Sequence, residues 1–592
     1  MKHYCMLIMV FLGAHLFGQT NWYVDYQNGN NANDGTSAIT PVKTVNYLTA
    51  NDLIQPGDTV FIIGQYNNPS YNPDFSYGGN DDRNNPHIWH QENSIKLNNL
   101  QGLENNYITF KPYDNTTVLK GDGANIFRVT NCAYLRIEGF EIYGEVEHIP
   151  LSTAEGLQTD GLHFLYLSPN TVDQQHPTLD EVLLRVEVGT SVSTIENTTY
   201  PELGSVKRPS YTDTRGLYVS GSHHIEIKGN EIHHTCGGGL RVSNSSNVLI
   251  AENEIHNCSR RSYSGTHALV VTKTKEGTAN STGDTTYSIK IVRNLVHDNY
   301  NEIFSWAPTK DIITPRIDEG KGISLQRNNL TAWTSGDQRI LVANNLCYWN
   351  GFSGVHSNDG WHIDFINNTC YMNSYTNTVT YAGQSQQGNN IGISAQHGGD
   401  IRIINNISVI DSGWGGFAIS SDGTPGLEVD KNLIYGINGT LPEDTDIYTI
   451  QTNTIIADPQ FKDTDTFDFR LQPDSPAIDT ANVNFAPVKD FYGNVRDNHP
   501  DLGAIEYLSP SNISGIMEDE IHIYPNPCTD AVIIDQPVKK EELFVYNLLG
   551  QDVTNLLKIN TLSSLTEIIT ANLPGGVYFI STTNFAAKLY KQ

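Results

Sequence analysis

A short segment of this chain combines the residue types that acid–base chemistry requires. The stretch "NEIFSWAPTKDIITPRIDEGKGISLQRNN" contains Glu302, Asp318, Glu319 and Lys321 within about twenty residues. Because Glu319 and Lys321 are two apart, an extended backbone places both side chains on one side, and the glycines beside Lys321 allow another backbone to approach closely. This segment is therefore the first candidate for a functional site.

Two further basic residues follow in "QRILVANNLCYWNGFSGVHSNDG". Arg339 stands at the start of a predicted strand, and His356 stands at the end of another. If successive strands stack on one another, the side chains of Glu302, Glu319, Lys321, Arg339 and His356 converge on one face over two or three turns of chain. We predict that they form one site.

This set of residues suits β-elimination on an acidic sugar. The reaction needs a base to remove the proton beside the carboxylate, a cation to neutralise that carboxylate, and assistance to the leaving oxygen. The expected roles are Lys321 or His356 as the base and Arg339 as the carboxylate ligand, with Asp318 and Glu319 binding calcium as a cofactor.

Two alternatives stay open on the same residues. Glu302 and Glu319 could be the acid and the nucleophile or base of a glycoside hydrolase, for which the separation of the carboxylates is decisive. The chain could also be a non-catalytic, adhesin-like surface protein that binds glycans, in which case these charges are only solvated.

Aromatic residues and one lysine are the predicted substrate-binding groups. Trp306, Trp333 and Trp361 lie in or beside insertions and could stack on sugar rings. Lys273, in "HALVVTKTKEG", is a rival to Lys321 in an earlier segment.

The element that positions these residues is a repeat. Short apolar runs each end in an asparagine, and these marker asparagines are Asn230, Asn253, Asn294, Asn345, Asn368 and Asn406. Steps of 23 residues recur, and the longer intervals contain insertions. A period of this length made of three short strands predicts an all-β fold, a right-handed parallel β-helix in which each coil covers its neighbour.

The repeat also predicts how particular side chains stack. The asparagines are expected at a corner, with a left-handed backbone and hydrogen bonds along the axis. Residues one period apart lie about 4.8 Å apart, which places Cys236 over Cys258 and Cys347 over Cys370. Buried thiols and disulfide bridges both stay open for these pairs. The adjacent His233 and His234 are expected to pack rather than to bind metal, since neighbouring strand residues face opposite sides.

The two ends of the predicted β-helix carry their own motifs. The segment 19–66, with "NDGTS" and "QPGDTVFIIGQY", resembles the N-terminal segment of many extracellular β-helix proteins, and its predicted helix from Thr44 to Leu53 would cap the open end. The segment 455–507, with "ADPQF" and "DSPAIDT", resembles the closing segment of such proteins. Its aspartates are expected to make structural turns.

The C-terminal part resembles a known sorting domain. "IYPNP", "LPGGVYF" and a terminal lysine-containing strand, over 520–592, are similar to the C-terminal sorting domain of the type IX secretion system of Bacteroidetes. The resemblance implies a small β-sandwich, the secretion machinery as partner, and export to the medium or cell surface through the outer membrane. Residues 508–519 are the expected linker, and residues 1–18 read as a cleavable signal peptide.

Composition limits the partners of the protein. The formal charge is −29 and the sequence pI is about 4.9, which argues against nucleic acid as a partner because phosphate contacts need a basic surface. A polyanionic sugar would also be repelled unless local Lys and Arg or a cation reverse the field. No later segment has the roughly 18 to 20 apolar residues of a membrane span, and we expect a monomer.

Residues 216–420 resemble the pectate-lyase-like β-helix proteins, including polysaccharide lyase family 9. In that family aspartates bind calcium and a lysine is the base. Here "THALVVTK" stands at the corresponding place, so Lys273 matches and the calcium aspartate does not. The segment "RIDEGKGISL" with "RILVANN" is closer to another group of secreted β-helix proteins. The expectation is a secreted polysaccharide lyase acting on an acidic polysaccharide.

Overall fold

The architecture is taken from a computed structural model. It describes residues 19–67, 94–121, 123–149, 194–195, 198–199, 214–262, 266–277, 286–302, 319–328, 338–373, 379–381, 384–386, 390–414, 416–441, 447, 450–508, 523–540, 543–547, 552–562, 565–582 and 586–591. The chain divides into two compact units, residues 1–507 and 508–592. Among the described residues, no helix is both long and apolar enough to cross a membrane.

The first unit consists of three long parallel sheets of nine, eleven and eleven strands, to which successive coils each contribute strands. The first sheet contains Ile95–Asn98, Asn125–Thr130, Arg215–Ser220, Leu240–Ser243, Leu269–Thr272, Ile323–Gln326, Ser353–Asn358, Asn390–Gln396 and Gly416–Ser421. The second sheet contains Asn21–Asp25, Thr59–Ile63, Ile108–Pro112, Ala133–Glu138, His223–Lys228, Ser246–Ala251, Tyr287–Val292, Arg339–Ala343, Trp361–Ile366, Gly399–Ile404 and Glu428–Asp430. The third sheet contains Gln65–Tyr66, Val118–Lys120, Glu141–Tyr143, Glu231–His233, Glu254–His256, Leu295–His297, Leu346–Tyr348, Thr369–Tyr371, Ile407–Asp411, Leu433–Ile437 and Ile455–Ile456. The predicted right-handed parallel β-helix is confirmed.

The remaining elements of the first unit are short. The α-helix Val45–Ala50 begins after Thr44, whose side chain accepts a hydrogen bond from the Tyr47 main chain, and Val45 and Leu48 are buried in the core. Other described elements are the 3₁₀ helices Val146–His148 and Ser412–Trp414 and the strand pairs Thr194–Ile195 with Thr198–Thr199, Val379–Tyr381 with Gln384–Gln386, and Phe461–Asp463 with Asp468–Leu471.

The core is a set of stacked aliphatic columns. In the second sheet, for example, Ile250 pairs with Ile291, which pairs with Val342, and all three are fully buried. Strand residues alternate between the interior and the outer surface, so one coil cannot bury its inward face alone. Burying apolar surface stabilises the fold by about 25 cal/mol per Å², and this stabilisation is gained only when coils stack on one another.

An asparagine ladder runs along the corner between the second and third sheets. It comprises Asn230, Asn253, Asn294, Asn345, Asn368, Asn406 and Asn432, and each side-chain amide donates to the next side-chain carbonyl at 2.9 or 3.0 Å. The predicted stacking is confirmed. Intervals of 41 and 51 residues are therefore single coils with insertions.

The predicted left-handed conformation of the ladder asparagines is wrong by one position. Positive φ angles occur at the residue before each of them, as at Asn344 (φ 53°), Asn367 (φ 52°) and Asn405 (φ 62°). The chain turns at this preceding residue, which leaves the ladder asparagine free to point inward and bond along the axis.

All six described cysteines are buried free thiols. Cys347 and Cys370 are register partners on adjacent strands of the third sheet. Stacked side chains of parallel strands point the same way, which suits disulfide geometry poorly.

The closing segment folds back over the asparagine corner. Asn344 donates to the Lys489 carbonyl at 2.6 Å and accepts from Arg496 at 2.9 Å, and Asn367 donates to the Asp501 carbonyl at 2.9 Å. Its aspartates make the predicted turns, as where Asp490 accepts from the Asn494 main chain at 2.8 Å.

The second unit consists of two antiparallel sheets. They contain Ile523–Tyr524, Ala531–Ile534, Lys558–Thr561 and Thr566–Ile569 in one, and Phe544–Asn547, Gly576–Ser581 and Ala586–Lys591 in the other, with the 3₁₀ helix Thr554–Leu556. Val532 and Ile568 of one sheet and Val545 and Ile580 of the other belong to one buried cluster. This is the predicted small β-sandwich.

Candidate functional site

The outer face of the first sheet carries a row of mostly polar side chains, interrupted by Val270. Strand register places Arg241 beside Val270, then Ser324, His356 and Ser394 on successive coils. Their neighbours in sequence, such as Leu325 and Val355, point into the core. The regular pleat thus aligns polar groups from distant parts of the chain along the axis.

Lys321, Glu319 and His267 make direct contact at the beginning of this row. Lys321 Nζ lies 2.8 Å from Glu319 Oε2, and the same oxygen lies 3.3 Å from His267 Nε2. His267 Nδ1 accepts the Lys321 main-chain N–H at 3.3 Å, and its Nε2 also lies 2.6 Å from the Gln326 side-chain amide nitrogen. We call Glu319, Lys321, His267 and His356 the lysine cluster.

Two glycines allow this contact. Gly320 has a φ of +80°, and a Cβ there would lie 2.6 Å from the Tyr300 Cα. A Cβ on Gly322 would lie 2.6 Å from the Gly354 carbonyl oxygen. The close backbone approach predicted for both glycines is therefore present, and it brings the Lys321 backbone against the neighbouring coils.

Both histidines of the cluster are held neutral. His267 is 2% exposed and His356 is 3% exposed, and burial lowers the pKa of each well below its ordinary value, with the Lys321 charge adding to the effect. His356 Nδ1 lies 2.5 Å from Ser394 Oγ. If Nδ1 donates to this hydroxyl, the lone pair of Nε2 is free to accept a proton.

The aromatic ring of Phe352 borders the cluster. The Lys321 ammonium lies 4.5 Å from the centroid of this ring, and the His356 ring meets it edge-on at 6.2 Å. A cation over an aromatic face is attracted by the ring quadrupole, so Phe352 stabilises the position of Lys321 next to His356.

A small cationic pocket lies on the same face. It measures about 30 Å³ and is lined by Arg215, Arg241, His267, Thr266 and Gln326, among others. That volume suits a water-sized polar group, and two guanidinium groups select an anionic one. Arg215 and Arg241 thus place two positive charges at this pocket, although the chain as a whole has a net charge of −29.

Arg339 is not part of this site, which corrects the predicted convergence. It lies on the second sheet, where Nη1 binds Asp400 at 2.5 Å and Nη2 binds Asp364 at 2.7 Å. Asp364 also accepts from the Tyr287 hydroxyl at 3.0 Å. Strand Arg339–Ala343 follows the turn onto the second sheet, so its outward side chains face away from Lys321.

Glu302 is also placed elsewhere. Its carboxylate pairs with Arg261, and its main-chain N–H donates to the Arg260 carbonyl at 3.1 Å. Of the two carboxylates proposed for hydrolysis, Glu319 belongs to the lysine cluster and Glu302 does not.

The predicted sugar-binding residues have separate positions. Trp361 begins a strand of the second sheet, and a Cβ on its register partner Gly399 would lie 2.4 Å from the Trp361 ring. Lys273 is exposed and lies just beyond the other end of a first-sheet strand. Trp306, Trp333 and Asp318 lie outside the described residues.

The predicted calcium site stays a prediction, because Asp318, one of its two expected ligands, lies outside the described residues. Ca²⁺ takes six to eight oxygen ligands, whereas Glu319 Oε2 is already bound by Lys321 and His267. Over the described ranges, no group of three or more His, Cys, Asp or Glu residues is arranged to hold a metal ion.

His233 and His234 pack, as predicted. The rings of Tyr143, His233, His256, His297 and Tyr348 stack on the outer face of the third sheet, with imidazole centroids 5.0 Å apart. His297 also binds Asp298 at 2.8 Å and Glu254 at 3.1 Å.

Sequence analysis missed His267, Arg215 and Arg241. A second alignment would have revealed them, because the first-sheet strands also repeat in sequence. The runs to align are "RGLYVS", "GGLRVS", "HALVVT", "KGISLQ" and "SGVHSN". In this alignment His267 and Lys321 fall in one column, and Arg241 and His356 fall in another, as the register confirms.

Two family models match parts of the chain. Residues 188–335 match a right handed beta helix region, and residues 522–592 match a secretion system C-terminal sorting domain. The sorting domain shows that the protein is secreted by the type IX system to the cell surface or the extracellular space. No curated protein matches the chain.

Solved structures similar to this chain include three carbohydrate-active proteins. They are pectate lyase Pel9A (13% identity, 83% of this chain and 98% of that chain, TM-score 0.38), GH136 lacto-N-biosidase from Eubacterium ramulus (12%, 70% and 56%, TM-score 0.33) and alginate lyase from Paenibacillus sp. str. FPU-7 (10%, 70% and 93%, TM-score 0.26). At these identities and TM-scores no activity follows from the likeness.

Proposed function

We propose that this exported right-handed parallel β-helix protein is a polysaccharide lyase that cleaves an acidic polysaccharide by β-elimination at the lysine cluster. The observation that carries the proposal is the placement of a buried lysine and neutral imidazoles on one face of the first sheet, beside a pocket lined by Arg215 and Arg241.

His356 is the proposed proton acceptor. Its Nε2 takes the proton from the carbon beside the sugar carboxylate, and the electron pair forms a carbon–carbon double bond. The bond from the next ring carbon to the glycosidic oxygen breaks, and the leaving oxygen takes a proton from solvent. A base that is neutral at the working pH is required for such a transfer.

Lys321 is proposed to stabilise charge rather than to accept the proton. It is engaged with Glu319 as an ion pair, and its ammonium group is adjacent to the negative charge that develops on the sugar carboxylate. Fixed charges in a buried site stabilise such a transition state more than water does. Glu319 and His267 position Lys321.

Arg215 and Arg241 are proposed to bind the carboxylate of another sugar unit. Arg241 and His356 lie three coils apart in one register column, or about 14 Å at roughly 4.8 Å per coil. A sugar chain running along the axis can therefore place one uronate at His356 and another at the arginines.

Incubation with a panel of pectate, alginate and sulfated algal glycans tests the proposal. Elimination yields products with the ultraviolet absorbance of an unsaturated sugar, whereas hydrolysis yields reducing ends without it. Absorbance with at least one uronate polymer is expected. Reducing ends alone, or no cleavage of any uronate polymer, would overturn it.

A further inference from the structure

A second cavity lies on another part of the β-helix, where the closing segment meets the corner between the second and third sheets. Its volume is about 430 Å³. We call it the corner pocket, and its lining includes Glu252, Glu254, Arg293, Lys489, Phe491 and Tyr492.

The fold itself creates this pocket. The closing segment covers the corner at Asn344 and Asn367 through side-chain hydrogen bonds. The equivalent corner residues of the preceding coils, Arg293 and Glu252, both have positive φ angles and lie beyond that cover. The turn at Lys489 to Gly493 therefore overhangs an uncovered stretch of the corner and leaves a cleft under it.

The charges that line the corner pocket are balanced. Glu252 binds Arg293 and also Lys228 at 3.2 Å, and Glu254 binds His297 at 3.1 Å. Lys489 is exposed at the edge of the pocket. With carboxylates and cations interleaved, the wall offers donors and acceptors for hydroxyl groups and gives no net preference for a charged ligand.

An exposed aromatic ring completes the pocket. Tyr492 is 57% exposed, and it meets Phe491 edge-on with ring centroids 5.1 Å apart, so more than half of this side chain is accessible from the solvent side of the pocket. An exposed aromatic ring at the edge of a concave polar surface offers an apolar face on which a sugar ring can pack, while the polar wall offers partners for its hydroxyl groups.

We infer that the corner pocket binds a neutral pyranose unit, with the sugar ring against Tyr492 and its hydroxyl groups on Glu252, Glu254 and Lys489. The volume lies in the range of small-ligand sites, roughly 300 to 1,000 Å³. The lysine cluster is on the first sheet, so both sites can be occupied at once. The inference goes beyond the proposed lyase activity and does not depend on it.

Calorimetric titration of the full chain with xylotriose, cellotriose and mannotriose tests the inference. At least one of these neutral trisaccharides is expected to bind, and Tyr492→Ala is expected to weaken binding at least about tenfold through loss of the ring contact. Tyr492→Phe keeps the ring face and is expected to bind within about twofold of the parent.

Two controls make the result specific. Tyr113→Ala removes another half-exposed tyrosine, far along the chain from the pocket, and should leave binding unchanged. His356→Gln should also bind normally, so failure of the lyase proposal would not affect this measurement. No binding of any of the three sugars, or equal binding by Tyr492→Ala, would overturn the inference.

Discussion

Lys321 donates a hydrogen bond to Glu319 across 2.8 Å, although neither residue belongs to a strand. The pair stands just before the strand Ile323–Gln326, and His267 of the previous coil contacts both residues. A buried lysine is thus fixed by two neighbours from different coils, which is the arrangement that a preorganised charge requires.

Replacing Lys321 is expected to remove activity without unfolding the protein. Lys321→Met keeps an apolar stem over Phe352 but removes the ammonium group, and kcat/KM on the cleaved polysaccharide should fall at least about 100-fold. The matched control is Lys273→Met, which changes an exposed lysine beyond the same sheet. Full activity of Lys321→Met, or loss in Lys273→Met alone, would transfer the role to Lys273.

The neutral histidines predict how stability depends on pH. The folded pKa of His356 is depressed by burial, so below the unfolded value of about 6.5 the unfolded chain binds a proton that the folded chain does not. The free energy of unfolding should therefore fall as pH drops below about 6.5. Denaturant titrations of the parent and His356→Gln measure this, and the variant should show the shallower slope. Equal slopes would contradict it.

Arg241 and Arg339 should behave differently on substitution. Arg241→Ala is expected to raise KM for the acidic polysaccharide about tenfold with kcat little changed, because a binding contact is lost. Arg339→Gln leaves the buried Asp364 carboxylate without its closest cation, which should lower the free energy of unfolding by about 3 kcal/mol. Its kcat/KM should stay within about twofold of the parent, and a larger loss would return Arg339 to the site.

The asparagine ladder should be costly to interrupt. Asn345→Ala removes the acceptor of two Asn294 groups and the donor to the Ile291 carbonyl. Each buried polar group left without a partner costs about 1 to 3 kcal/mol, so a total loss of at least about 3 kcal/mol is expected in denaturant unfolding. The exposed Asn46→Ala is the matched control, and similar effects for both would disprove the ladder's contribution.

The contribution of His297 to the free energy of unfolding should depend on pH in the opposite direction to that of His356. Burial lowers its pKa, but hydrogen bonds to Asp298 and Glu254 outweigh burial, so the pKa is raised above its ordinary value. The stabilisation is complete below the unfolded value of about 6.5 and is lost as pH rises through the folded pKa. His297→Gln should therefore destabilise more at about pH 6 than at about pH 9. An equal effect at both values would show that ring stacking dominates.

Much of the fold was predictable because apolar runs and asparagines recur at regular intervals along the chain. The 23-residue step between Asn345 and Asn368 reflects one coil, and the "YPNP" and "LPGGVYF" motifs mark the sorting domain. The candidate site was only partly predictable. Glu319, Lys321 and His356 were found because they lie beside or within regular strands, whereas His267 lies 54 residues before Lys321, beyond an insertion that hides its register.

The sequence by itself determined the winding of the chain, since apolar alternation and recurring asparagines permit only stacked coils of three strands. The tertiary structure alone decided which polar side chains meet. A turn of one residue at each corner selects the sheet on which a side chain emerges, and for this reason Arg339 faces Asp364 while Lys321 faces His267. Coil register, which depends on insertion lengths and corner geometry, is a property of the assembled solenoid.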